Sequence, residues 1–471
     1  MNCPRLCIAG VSSGAGKTSL SLALTAALRR RGLTVQTFKV GPDYLDPTYL
    51  AIASGRPCYN LDGWMTSRSY VESLFSRACR GADFAIIEGG MGLFDGASPD
   101  SSAGSTADVA RWLDTPIVLA ANVQGMTRSL APLVKGFTTF EPGVRIAGVI
   151  ANRCGSARHE SWLSKVLAAS SLPRLLGAVP RQALPVVSRR NLGISTLEAK
   201  RLSPFTLEEL ADAFERYVSL DKIVRIAQET KPLPEPPARA VRPAQERPFR
   251  LGVSRDEAFS FQYQDFLDVL QEAGCEPCFF SPLRDAALPK DLDGLYLTGG
   301  YPEEYAADLT ANRGLCTAIR RFAASGRPLY AEGGGLIYLT QRIISQNKGV
   351  YDLAGVLPVG AQVLAHKKVL WYVEVELKAD SLWGRKGTVL RGHEFHYSGL
   401  DTSPQGVDGW QSVYDLKRPG FLRPVTEGFQ KGSVLASHVH LHLASHPEAI
   451  DYFMARGRSG AGSTGSGGDV S

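Results

Sequence analysis

The chain has 471 residues, 44% of them hydrophobic and 21% charged, with a formal net charge of +6 at pH 7. That balance fits a globular protein with two or three real cores and excludes a small stapled scaffold. No apolar run approaches the about 20 residues of a membrane span, and the N-terminus enters a strand with no signal peptide, so a cytoplasmic protein without a membrane role is expected. The basic residues form no block beyond Arg29-Arg30-Arg31, just before Gly32, where cations complement a helix end and glycine stops the helix. Nucleic-acid binding is not indicated, whereas a polyanionic small substrate would suit the charge.

The first element is read from "RLCIAGVSSGAGKTSLSLALTAALRRRG". An apolar strand runs into Gly10, a Ser/Gly loop with Gly14 and Gly16 follows, and Lys17-Thr18 opens a helix whose leucines 20, 24 and 28 share a face. This is the pattern of a phosphate-binding loop. Glycines let backbone N–H groups close on phosphates, Lys17 reaches the outer phosphates, and the Thr18 hydroxyl ligates Mg²⁺, so ATP and Mg are the expected cofactors. Five residues separate Gly10 from Gly16, a spacing that resembles dethiobiotin synthetase more than most ATPases.

Next, "TFKVGPDYLDPTYL" places Lys39, then Asp43 and Asp46, at the carboxyl end of a short strand, the usual ligand edge of an open parallel sheet. "FAIIEGGMGLFDG" is a buried strand ending in Glu88, followed by a glycine-rich loop with Asp95. A carboxylate at such a strand end near a phosphate loop commonly holds or orients Mg²⁺, and Glu88 joins Thr18 as a metal candidate. "IAGVIANRCG" ends in Asn152, whose amide is able to read an adenine edge.

Residues 229 to 249, "ETKPLPEPPARAVRPAQERPF", are proline-rich and poorly apolar, and are expected to be an extended linker. Domains are placed at 1–228 and 250–455, with a glycine- and serine-rich disordered tail over 456–471. The eight cysteines are scattered, and Cys275 and Cys278 lack a second pair for a zinc site, so reduced thiols are expected. In the second domain "LYAEGGGLIYLTQ" reads as a strand, a sharp glycine turn and a helix. Such an elbow usually presents one reactive side chain, and the position that would carry it is Gly333.

These stretches together resemble the cobyrinic acid a,c-diamide synthase family. The likeness runs through the phosphate loop, "KVGPDYLDP", "NLDGWM", "EGGMGLFDG" and "NRCGSARH". It resumes with "RDEAFSFQY", "LYLTGGYPEEYA", "YAEGGGLIYL", "GHEFHYS" and "SHVHLHLASHP". It implies an α/β architecture, with a P-loop NTPase-like domain of mostly parallel sheet fused to a second α/β, glutamine-amidotransferase-like domain. It also implies an ATP-dependent amidoligase that amidates side-chain carboxylates of a corrin-type tetrapyrrole polycarboxylate through an acyl phosphate.

On that reading Lys39 joins Lys17 in stabilising charge on the transferring phosphoryl group, and Asp43, Asp46 and Asp95 line the carboxylate and ammonia site, with Tyr44 and Leu45 as substrate contacts. Gly300 and Gly334 supply oxyanion N–H groups, and His440 stands where the family has its general base. The family carries a nucleophilic cysteine where this chain has Gly333, so glutamine hydrolysis should be lost and ammonia should come free or from a glutaminase partner. A homodimer is left open. Leu50, Asn122 and Asn191 depart from the family's usual histidine, aspartate and histidine, which bears on which tetrapyrrole is used. Histidines 438, 440 and 442 would share one face of a strand. Sirohaem or nickel-sirohydrochlorin is the alternative substrate, and a MinD/ParA-like nucleotide-dependent regulator is the alternative class.

Overall fold

The computed structural model describes residues 3–184, 202–235, 247–347, 349–364, 369–421 and 423–461. The chain divides into two compact units, Met1–Arg239 and Ala240–Ser471. Among the described residues no helix is long and apolar enough to cross a membrane. Asn191 lies outside the described residues.

The first unit is built on seven strands: β1 (Arg5–Gly10), β2 (Val35–Val40), β3 (Tyr59–Leu61), β4 (Phe84–Glu88), β5 (Ile117–Asn122), β6 (Ile146–Cys154) and β7 (Leu175–Pro180). They form one sheet in the order β3-β2-β4-β1-β5-β6-β7, parallel throughout. Because successive side chains of a strand point to opposite faces, β1 serves two cores at once. Leu6 and Ile8 join the cluster under helices Lys17–Arg30 and Pro204–Tyr217, and Cys7 and Ala9 join the cluster under Arg68–Ala78 and Thr106–Trp112. Leu20, Leu24 and Leu28 are fully buried on the first of these faces, as their spacing predicts. The chain leaves β1 between β4 on one side and β5 on the other. That is the crevice where an open parallel sheet binds ligands.

The second unit contains β8 (Phe249–Ser254), β9 (Cys275–Phe280), β10 (Gly294–Leu297), β11 (Leu329–Glu332), β12 (Arg342–Ile344), β13 (Val350–Asp352), β14 (Ala361–Val363), β15 (Val369–Leu377), β16 (Val389–His396), β17 (Ser398–Leu400), β18 (Gln411–Lys417), β19 (Val425–Lys431), β20 (Val434–Ser437) and β21 (Val439–Leu441). Ten of them form a mixed sheet in the order β21-β16-β15-β18-β19-β20-β11-β10-β8-β9, and β13-β12-β14-β17 form a small second sheet. Within the ten-stranded sheet the run from β20 to β9 is parallel and the other pairs are antiparallel. Only His438 separates β20, which pairs with β11, from β21, which pairs with β16. That short link curls the sheet back and brings β21 beside the end of β11.

The expected tail from residue 456 needs correction. Helix Ala449–Ala461 carries the chain past Arg456. Gly457 lets it lie close to the sheet, since a Cβ there would stand 2.5 Å from the Phe249 ring and 2.6 Å from the Asp293 carbonyl. Residues 462–471 lie outside the described residues. All eight cysteines are free thiols.

Candidate active sites

The phosphate loop folds as its glycines dictate. Gly14 and Gly16 have φ of 78° and 100°, a region that side chains rarely adopt, and Gly16 caps helix Lys17–Arg30. A Cβ on Gly16 would strike the Asn152 amide at 2.1 Å, and one on Gly10 would stand 3.1 Å from Lys17 Nζ. Asn152 Nδ2 donates to the Ala15 carbonyl at 2.9 Å, while its Oδ1 accepts from the Arg153 N–H at 2.9 Å. The residue read as an adenine contact therefore also braces the loop. Lys17 donates to the Ser12 carbonyl at 3.3 Å and to the Met91 carbonyl, so its ammonium lies inside the loop. Met91 itself has a φ of 39°.

Beside the loop lies a buried charge cluster. Lys39 Nζ donates to Asp46 Oδ2 and to Glu88 Oε1, both at 2.7 Å, and Asp43 Oδ2 stands 3.9 Å away. The Thr18 hydroxyl donates to Glu88 Oε1 at 2.7 Å and approaches Asp46 Oδ2 at 3.2 Å. Burial alone would depress Lys39, but the charges of Asp46, Glu88 and Asp43 outweigh it and hold the ammonium above its ordinary value. Burial pushes the Glu88 carboxyl up to about 7 against the pull of Lys39, and raises Asp43, with the Asp46 charge adding to the rise. Glu88 Oε2 is buried with no hydrogen-bond partner. Thr18, Lys39, Asp43, Asp46 and Glu88, scattered over 71 positions of sequence, are thus one site.

The other candidates stand around it. Asp43 Oδ1 accepts from the N–H groups of Leu45 and Asp46, which starts helix Leu45–Ser54 and leaves its side chain 32% exposed. Tyr44 is buried and Leu45 packs against the core, and of the two carboxylates of that loop Asp43 is the accessible one. Asp95 is exposed and accepts from the Gly92 N–H at 2.8 Å, outside the Lys39 cluster. Leu50 is fully buried, and Asn122 accepts from the Gln124 N–H.

In the second unit the elbow has the backbone its sequence predicts. Gly333 has φ 50° and ψ −112° between β11 and helix Gly334–Leu339. His440, on β21, meets it: a Cβ on Gly333 would stand 2.6 Å from His440 Nε2 and 2.5 Å from Cε1. The imidazole therefore occupies part of the space that a side chain at 333 would need. Gly300 and Gly334 are in contact, since a Cβ on Gly334 would lie 2.9 Å from the Gly300 nitrogen. A Cβ on Gly300 would overlap the Ala258 carbonyl at 1.9 Å.

The three alternating histidines do not form one group. His438 faces Glu427 at 3.4 Å, His440 faces Glu332 at 3.2 Å, and His442 faces Asp265 at 2.9 Å. Among the described residues no cluster of three or more His, Cys, Asp or Glu could hold a metal. Burial, then the neighbouring His440 and His442, depresses His393, which stacks on His440 at 5.0 Å. Glu332 is the site residue that the sequence reading misses. One signal could have found it: β4 and β11 both end in a glutamate followed by two glycines, "IIEGG" and "YAEGG".

Known proteins match both units. Residues 6–191 match the CobQ/CobB/MinD/ParA nucleotide binding domain, and residues 250–448 match the CobB/CobQ-like glutamine amidotransferase domain. A protein of Syntrophotalea carbinolica named cobyrinate a,c-diamide synthase is 51% identical, over 98% of this chain and 100% of that one. The chain belongs to the cobyrinate a,c-diamide synthase family. Relatives of the same name from Dehalococcoides mccartyi and Leptospira interrogans are 41% and 38% identical, each over 96% of this chain and 98% of theirs. Family membership thus joins a nucleotide-binding unit to an amidotransferase-like unit in one ligase-type chain.

Proposed function

We propose that this chain amidates side-chain carboxylates of cobyrinic acid at the expense of ATP, through an acyl phosphate and with ammonia that its own second unit does not make. The observation that carries the reading is the buried cluster of Lys39, Asp46, Glu88 and Thr18 beside the phosphate loop. A carboxylate resists attack because its leaving group would be oxide. Phosphorylation by ATP replaces that with phosphate, which ammonia can displace. Lys17 and Lys39 supply fixed positive charge where the transferring phosphoryl group carries its negative charge.

The donor set suits Mg²⁺, which takes oxygen ligands, usually one or two carboxylates plus phosphate oxygens and water. Glu88 Oε2 is a buried acceptor with no partner, and the Thr18 hydroxyl adjoins its carboxylate. Thr18 and Glu88 would hold the ion, which when bound neutralises charge on the phosphates. Asp43 is accessible to the substrate edge, and either it or Asp95 would take the proton that ammonium must lose. In the second unit Gly333 cannot form a thioester, so the oxyanion glycines and His440 retain a glutamine-binding frame without its nucleophile.

The test is amidation of a panel of tetrapyrroles by the full chain with ATP and ammonium chloride at mildly alkaline pH. Each amidation replaces a hydroxyl by an amino group, a change that mass spectrometry reads directly. Cobyrinic acid should be amidated, glutamine should not replace ammonium, and Lys17→Ala should lose on the order of 10³-fold in turnover while melting normally. Amidation of sirohaem or nickel-sirohydrochlorin instead would move the substrate. Full activity of Lys17→Ala would overturn the assignment.

A further inference from the structure

Family membership and the chemistry above leave Glu332 without a role. It lies 2% exposed at the end of β11, directly before the elbow glycine. Its Oε1 accepts from the Tyr296 hydroxyl at 2.6 Å and faces His440 Nδ1 at 3.2 Å. Its Oε2 accepts from the Tyr330 hydroxyl at 3.1 Å, and that hydroxyl also reaches the Val439 carbonyl at 3.3 Å, tying β11 to β21. As a carboxylate the group only accepts, from the Tyr296 phenol on one oxygen and, on the other, from the Tyr330 hydrogen that is shared with the Val439 carbonyl. The hydrogen between Glu332 and His440 then belongs to Nδ1. A neutral ring in that tautomer keeps its lone pair on Nε2, the nitrogen that lies 2.6 Å from the Cβ position of residue 333.

We infer that Glu332 is the positioning residue of the glutaminase frame. It fixes the tautomer and orientation of His440 so that Nε2 addresses residue 333, and its charge would stabilise the imidazolium formed when that ring takes a thiol proton. The other acids near this strand are engaged elsewhere, Glu427 with His438 and Asp265 with His442. The remaining titratable neighbour of His440 in the stack is His393, which carries no negative charge. The acid therefore comes from the strand that bears the elbow itself. This inference rests on reading the second unit as a glutaminase frame, and its test separates the two.

The first measurement is the alkylation rate of the thiol introduced by Gly333→Cys in the full chain, followed against pH with iodoacetamide and read at that peptide by mass spectrometry. Adding Glu332→Gln keeps the shape and removes the charge. The alkylation midpoint should then rise by about one pH unit and the rate at neutral pH should fall about tenfold, with the melting temperature little changed. The second measurement needs no thiol: nitrogen-15 spectra of the unmodified chain should show His440 protonated at Nδ1, and Glu332→Gln should shift that signal or mix the tautomers.

An unmoved alkylation midpoint together with an unmoved Nδ1 signal overturns the inference. If Gly333→Cys with Glu332 intact alkylates like a free thiol and releases no glutamate from glutamine, the glutaminase reading fails and takes the inference with it. If that variant hydrolyses glutamine and ignores Glu332→Gln, the inference alone fails.

Discussion

Strands β4 and β11 end alike, each with an apolar run, one buried glutamate and two glycines, yet the two carboxylates stand in opposite environments. Glu88 shares one oxygen between Lys39 and Thr18 and keeps the other without a hydrogen-bond partner. Glu332 has both oxygens engaged, by Tyr296 and His440 on one and Tyr330 on the other. Lys39 comes from β2, Thr18 from helix Lys17–Arg30, Tyr296 from β10 and His440 from β21, so the same local pattern ends in one carboxylate with an oxygen unengaged and one with both oxygens held. A strand-end carboxylate is defined by what folds against it. On the proposed reading the second site keeps the backbone, the base and the acid of a glutaminase frame and lacks its nucleophile.

The sharpest way to break that comparison is to restore the missing atom. Gly333→Cys should raise glutamate release from glutamine by on the order of 10³-fold over the unmodified chain, since removing a nucleophile from such a unit costs at least that much. The cysteine must accept φ near 50°, a strain of about 1 to 3 kcal/mol. The His440 ring must also withdraw, because it stands 2.6 Å from the new Cβ position. Substantial glutamate release by the unmodified chain would show that another group does the attacking.

The phosphate loop was legible in the sequence because its physics is local: positive-φ glycines, a lysine and a threonine within a few residues of one another. The elbow was legible for the same reason. The Lys39 cluster was legible as separate strand-end candidates, which parallel strands bring to one edge, although nothing in the spacing shows that Lys39 bridges Asp46 and Glu88. Glu332 was not legible. Its meaning depends on Tyr296 from β10 and His440 from β21, a strand placed by the one-residue link after β20. The course of the chain beyond Arg456 was missed because composition predicts disorder, whereas Gly457 is used for close packing on Phe249.

Glu88→Gln tests the other half of the comparison. Loss of the proposed metal ligand should cut ATP turnover by about 10²-fold and weaken the magnesium requirement. Burial raises this carboxyl to about 7 in the metal-free site, so magnesium affinity should weaken as pH drops through that value, and this pH dependence should vanish in the variant. Stability runs the other way. Between the ordinary carboxyl value and about 7 the folded chain holds a proton that the unfolded chain does not, so this group's contribution falls as pH rises across the window. The same pH dependence of magnesium affinity in Glu88→Gln would assign the titration to another group.

The smallest effect separates two uses of Asn152, whose amide reaches the Ala15 carbonyl at 2.9 Å from the far side of Gly16. If the residue chiefly braces the phosphate loop, Asn152→Ala removes one hydrogen bond, worth about 1 kcal/mol, and should raise the KM for ATP by roughly fivefold. The preference for ATP over GTP should then be unchanged, because a loosened loop weakens the grip on phosphates that both nucleotides share. If the amide instead reads the adenine edge, the same substitution should erase the discrimination while ATP and GTP converge on similar KM values. Measuring both nucleotides in the unmodified chain and in Asn152→Ala decides between them. The geometry favours the first outcome, since Nδ2 already donates to Ala15 and Oδ1 already accepts from Arg153.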